Sequence, residues 1–129
     1  MKEMMEFLKK CPAFSGMELR EDFLSARSGS AAVVPDGGKQ LLRRYTSGDL
    51  LRQYNFKLLL RENFTGQADR VFREFTEWID KGNLPVLSGD KTAQYIEITE
   101  GPALIKTETG AGIYDMKFTL VYYEKGVRI

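Results

Sequence analysis

The chain has 129 residues, a length that fits a single domain over 1–129 with one core. It is 43% hydrophobic and 29% charged, with a net charge of +1, which is ordinary for a soluble globular protein and carries no global nucleic-acid signature. Histidine is absent and Cys11 is the only cysteine, which excludes Ser/His/Asp and Cys/His nucleophile systems, His-based metal sites and an internal disulfide.

The opening MKEMMEFLKK carries charges throughout, so it does not read as a signal peptide. No apolar run approaches the ~18 residues of a membrane span. A cytoplasmic protein that contacts no membrane is the expectation. Residues 2–10 predict a short helix with Met4, Met5, Phe7 and Leu8 as its apolar stripe, ended by Pro12. Cys11 reads as a small buried residue. A further turn or two of helix is expected over 18–26, with Leu19, Phe23 and Leu24 on one face, before SGS breaks the pattern.

Three strands follow. Residues 31–34 form a short apolar strand, and PDGG (35–38) is a turn signal. A strand resumes over 40–46, turns at Ser47-Gly48-Asp49, and continues as the longest strand, 50–60. Alternation there puts Leu50, Arg52, Tyr54, Phe56, Leu58 and Leu60 toward a core. The odd positions face solvent or a partner, and Leu51 and Leu59 among them point to a face that is not wholly in water.

The strongest helix signal is 66–81, where Ala68, Val71, Phe72, Phe75, Trp78 and Ile79 make one broad apolar face. Thr65 is the expected N-cap, Asp69 and Lys81 suit the helix dipole, Gly82 suits the left-handed position after the helix, and Pro85 prevents a restart. Asn63-Phe64-Thr65 matches the glycosylation pattern, here read as chance. Strands are then expected over 94–99, 103–107 and 113–123, interrupted at Glu100-Gly101-Pro102 and at the flexible 108–112 turn. The last strand places Tyr114, Met116, Phe118, Leu120 and Tyr122 on one face. The expected fold is α+β: a mainly antiparallel sheet packed by a central amphipathic helix, with a short N-terminal helix.

Little in the chain reads as chemistry. Gly37-Gly38-Lys39 lacks the earlier glycine and following Ser/Thr of a phosphate loop: Val33 and Gln40 stand there. Glu97, Glu100, Glu108 and Asp115 are carboxylates suited to acid/base or metal work, but no spacing pairs them. No catalytic, cofactor or metal residue is assigned, and no enzyme activity is expected. Charge distribution says more. Residues 39–61 hold Lys39, Arg43, Arg44, Arg52, Lys57 and Arg61 against Asp49 alone, a net +5, while the other 13 basic and 17 acidic residues leave the remainder at −4. Two readings stand: a solvated sheet face, or a charged surface that meets acidic neighbours or a phosphate backbone. Tyr45, Tyr54 and Phe56 interleave with these cations, as in a single-strand-binding surface, but the alternation assigns Tyr54 and Phe56 to the core.

Taken in order, LLRRYTSGDLLRQYNFKLLLREN, then FREFTEWID, then GNLP, then YIEITEGPALIKTETGAGIYDMKFTLVYYEK resembles the small tail-terminator (tail-completion, minor capsid) proteins of long-tailed phages and prophages. The residues that carry the likeness are Tyr45 with Gly48, Tyr54 with Phe56, Trp78-Ile79, Leu84-Pro85, and Tyr114, Phe118, Leu120 and Tyr122, across about 41–124. The resemblance implies a non-enzymatic subunit of the virion, made in the bacterial host cytoplasm. It would form a ring with itself, commonly a hexamer, that stops the tail tube, meets the head–tail connector protein and lets DNA pass through its lumen. The six basic residues would then line a subunit interface or the lumen, and the 35–38 and 108–112 loops would meet tube or connector. The alternative is a nucleic-acid-binding accessory module that uses the basic hairpin at 39–61.

Overall fold

A computed structural model of the chain describes residues 2–21, 23–63 and 66–126. The elements are α1 (Lys2–Lys9), a 3-10 turn (Pro12–Phe14), β1 (Glu18–Glu21), β2 (Ser30–Arg44), β3 (Leu50–Glu62), α2 (Gln67–Asp80), β4 (Lys91–Glu108) and β5 (Ala111–Glu124). The five strands form one sheet in the order β1-β2-β3-β5-β4. Only β1 and β2 run parallel; the other pairs are antiparallel. The architecture is the expected α+β arrangement.

The core lies on one face of this sheet. Met4, Met5, Phe7 and Leu8 of α1, Cys11 and Phe14 after it, and Val71, Phe72, Phe75 and Ile79 of α2 pack on Phe56, Leu58 and Leu60 of β3 and Met116, Phe118, Leu120 and Tyr122 of β5. The aromatic rings give the packing its geometry. Phe118 stacks on Phe56 at 5.4 Å and meets Phe75 edge-on at 5.5 Å, while Phe7 lies 4.5 Å from Trp78. Each such buried side chain contributes about 2–3 kcal/mol through its removal from water. The alternation read along β3 holds from Phe56 on, with Phe56, Leu58 and Leu60 inward and Lys57 and Leu59 outward. On β5 Met116, Phe118, Leu120 and Tyr122 are inward as expected, but Thr119 and Val121 between them are buried as well and Tyr114 is only partly covered. Gly82 adopts φ +91° just past α2, as expected. Thr65, the expected N-cap, lies outside the described residues, as does part of the glycosylation pattern at 63–65; Gly66 takes the cap position.

Three expectations are corrected. Residues 18–21 are strand, not helix: β1 pairs in parallel with Ser30–Val33. Backbone valence decided this. The buried apolar start of β2 presents an open edge, and pairing with it satisfies groups that a short isolated helix would leave to marginal propensity. Arg20 donates from Nε and Nη2 to Glu18 Oε1 at 2.9 and 2.6 Å, a contact between residues two apart, which share a strand face but not a helix face. Phe23, assigned to the helix face, is 59% exposed, with the Arg20 guanidinium 5.0 Å from its ring centre.

The second correction is PDGG, which does not reverse the chain. β2 runs through it, containing two more residues than β3 between the pairs Pro35–Phe56 and Lys39–Tyr54. Gly37, at φ +91°, absorbs this bulge, and Pro35 is tolerated because past Val33 no strand pairs with the outer edge of β2. Glu100-Gly101-Pro102 is the third. It lies within β4, which gains an extra residue over β5 at four places instead of stopping. The turn between β4 and β5 comprises only Thr109 and Gly110.

Candidate functional site

The six cations of the basic hairpin do not share one environment. Arg61, on β3, is held on two sides: Nε and Nη2 donate to the Glu108 carboxylate at 3.0 and 3.2 Å, and Nη1 donates to the Ser25 carbonyl. It ties the end of β4 and the loop before β2 to the centre of the sheet. Arg52 donates from Nε to Glu124 Oε2 at 2.6 Å, across the β3–β5 pair. Both are structural ion pairs of the fold, with the charge-assisted geometry that makes such contacts strong. Lys57 lies on the sheet face away from the helices, directly opposite Lys117. Lys117 is neutralised there by Glu100 at 3.4 Å and Asp36 at 3.9 Å.

Lys39, Arg43 and Arg44 are different. They are exposed and lie on the outer part of β2, where no ion pair with a carboxylate reaches them among the described residues. The Lys39 ammonium sits 5.7 Å from the centre of the Tyr54 ring. Leu41, Leu42 and Tyr45 accompany them, at 46%, 45% and 36% exposure. Leu42 is the extra residue of a second bulge, between the pairs Leu41–Arg52 and Arg43–Leu51, so its side chain is turned out of the alternation. Neither helix packs on this arm. Sequence reasoning found its cations but missed its apolar residues. The signal was available in Leu41-Leu42, since two adjacent leucines cannot both face one side of a regular strand.

The turn at the arm's tip is anchored. Asp49 accepts from the Gly126 N–H at 2.7 Å and from the Tyr123 hydroxyl, and its carbonyl accepts from the Tyr45 N–H at 2.9 Å. The bond to Asp49 raises the Tyr123 pKa above the usual phenol value. At Gly126 a β-carbon would clash with the Gly48 carbonyl, so only glycine allows the two backbones to approach. The arm is thus an edge strand paired to β3 along its length and ended by a fixed turn.

The remaining titratable groups do not assemble into a reactive centre. The carboxylates weighed from the sequence are separated: Glu108 pairs with Arg61, and Glu100 with Lys117. Glu97 and Glu100 do border a polar hollow of about 360 Å³ on the outer sheet face, together with Asp36, Asn55, Lys117 and Thr119. There Thr119 Oγ1 donates to Asn55 Oδ1 at 2.6 Å. Among the described residues no three His, Cys, Asp or Glu side chains gather closely enough to hold a metal ion. Burial pushes the Cys11 thiol up to about 11, which keeps it protonated and a poor nucleophile. Burial also raises the carboxyl of Glu62, offset in part by the Arg70 charge. Among the described residues no helix is long and apolar enough to cross a membrane.

A second surface feature lies on the helix side. Between α2 and β4 runs an open apolar groove of about 390 Å³. Phe72 and Met116 form its floor, Pro102 its rim on β4, and Asp69, Arg73 and Glu77 its rim on α2. Neither Asp69 nor Glu77 is ion-paired among the described residues. In comparisons with known proteins, no family model matches the chain and no curated protein matches it significantly.

Proposed function

We propose that the chain is a structural subunit of a phage or prophage tail, assembling into a ring that terminates the tail tube and joins it to the head connector. The observation that supports the reading most is the uncovered outer arm of β2. Leu41 and Leu42 are exposed there, with Tyr45 beside the Tyr123 ring, next to Lys39, Arg43 and Arg44, which have no ion pair among the described residues. Apolar side chains grouped with cations on an uncovered sheet edge suit a contact with another molecule. The order of elements that resembles the tail-terminator proteins adds to this reading, and it brings the tail tube, the connector and DNA in the lumen as partners. The site of action is the virion, after synthesis in the host cytoplasm.

Size exclusion with light scattering, at several concentrations and at low and high salt, tests it. A discrete ring-sized species, or a monomer–ring equilibrium that salt shifts, is the expected result. A monomer at every concentration, alone and with tail tube protein added, overturns it.

The same unpaired Lys39, Arg43 and Arg44 favour a second reading, a nucleic-acid-binding module. Three phosphate contacts would make log affinity fall with log salt at a slope of about −2 to −3. Absence of binding to DNA at low ionic strength removes this alternative.

A further inference from the structure

The outer arm of β2 and the α2–β4 groove lie at opposite edges of the sheet. β2 lies toward one edge and β4 forms the other. They also lie at opposite ends of the strands. Arg44 is level with Leu50, Glu124 and Lys91 across the sheet, whereas Pro102, beside Ala103, is near the level of Asp115 and Leu59. One chain therefore cannot bring its own arm to its own groove, but two copies set side by side can.

Their chemistry is complementary. The arm offers a bulged leucine, Leu42, followed by Arg43 and Arg44, with no carboxylate among residues 39–44. The groove offers an apolar floor of Phe72 and Met116, with the exposed carboxylates of Asp69 and Glu77 on its rim; Arg73 between them is the one rim cation. Its volume of about 390 Å³ accommodates a leucine side chain together with part of the strand that carries it. The free edges themselves are poor candidates for direct strand-to-strand pairing. β2 carries Pro35 and two bulges, and β4 carries Pro102 and four, the devices that keep sheet edges from joining. A side-chain plug into a groove avoids that obstacle.

We infer that the Leu42–Arg44 corner of one copy seats in the α2–β4 groove of the next, Leu42 on Phe72 and Met116 and the two guanidinium groups against Asp69 and Glu77. The inference rests on the ring reading above and specifies its interface. Such a contact joins two different patches, so it repeats head to tail and closes into a ring when the rotation per copy allows.

Charge exchange on the full chain tests it. R43E/R44E and D69K/E77K are compared with wild type and with the quadruple variant that carries both pairs, by light scattering at low salt. All four positions are exposed, and circular dichroism checks that each variant keeps its fold. Each double variant is expected to raise the concentration needed for assembly by roughly tenfold or more. The quadruple variant is expected to return it to within about threefold of wild type. In parallel, an equimolar mixture of L42C and T76C is oxidised, Thr76 lining the groove on α2 and Cys11 being buried. Disulfide dimers containing one of each variant are expected, and L42C homodimers are not.

Assembly of wild type with no loss in the double variants, or loss without rescue in the quadruple, overturns the arm-in-groove contact and leaves the ring reading standing. L42C homodimers as the main product overturn it in favour of a two-fold contact between arms. A wild-type protein that stays monomeric with and without tail tube protein overturns both.

Discussion

Phe118 and Leu42 belong to the same sheet, and their surroundings are opposites. Phe118 is fully buried between Phe56 of the neighbouring strand and Phe75 of α2. Leu42 stands 45% exposed on a bulge that no helix covers. The helix-covered half of the sheet contains the interactions that hold the fold. On the uncovered arm of β2, Lys39 lies by the Tyr54 ring and Tyr45 by Tyr123, but Leu42, Arg43 and Arg44 have no side-chain hydrogen bond or ion pair among the described residues. Residues of the first kind should govern unfolding, and residues of the second kind should govern association.

The largest expected effect comes from Phe118→Ala. Removing a ring from the centre of the packed face should lower unfolding free energy by about 3–5 kcal/mol, measured by urea denaturation. A loss below about 1 kcal/mol would break the division, because it would mean that the covered face is loosely packed. Arg61→Ala should follow at roughly 1.5–3 kcal/mol, since it removes the Glu108 pair and the bond to the Ser25 carbonyl from a half-buried site. Hydrogen exchange should show the ends of β4 and the Ser25 loop opening first; uniform loosening would show that Arg61 does not tie them.

Glu62→Gln makes the stability of the covered half depend on pH differently from wild type. Burial raises the Glu62 pKa, so folding at neutral pH confines a carboxylate that the unfolded chain leaves in water. The substitution should therefore stabilise the protein at pH 7 to 8, by less than the Arg61 effect. As pH falls through the raised native value, wild type takes up a proton in the folded state and the advantage of the variant disappears. A gap that widens toward acid would reverse this assignment. Smallest of all should be the combined Leu42→Ala and Arg43→Ala change, within about 0.5 kcal/mol in monomer stability. If it destabilises the monomer by more than about 1 kcal/mol, the arm has a structural role after all.

Much of the covered half was legible in the sequence. Strong periodicities gave α1, α2, β3 and β5, and with them the buried face from Phe56 to Tyr122. The uncovered parts were read less well, for physical reasons. Pro and Gly at 35–38 and 100–102 signal a turn or a bulge equally, and only the neighbouring strand decides which. β1 depends on an edge that exists only after β2 has folded onto β3. Charge counting had the same weakness. Arg52 and Arg61 looked like members of one basic surface, yet their carboxylate partners lie 72 and 47 residues further along the chain. What remains without an ion pair among the described residues is Lys39, Arg43 and Arg44 on the arm and Lys57 apart from them on the outer sheet face, a smaller set than the net +5 implied.

The order β1-β2-β3-β5-β4 has a consequence for the time course of folding. β5, the final strand in sequence, lies inside the sheet and joins β3 on one side to β4 on the other. Until it arrives, β3 exposes Phe56, Leu58 and Leu60 along an unpaired flank, and β4 has no partner at all. Contacts between such distant segments form slowly, because the intervening chain must first be ordered. During synthesis the β2–β3 hairpin can form as soon as it emerges, but the core cannot close until residue 124 has left the ribosome. A nascent chain paused after α2 is therefore sticky on both its hairpin and its helix, and should be sensitive to proteases and to chaperone capture in a way the finished protein is not.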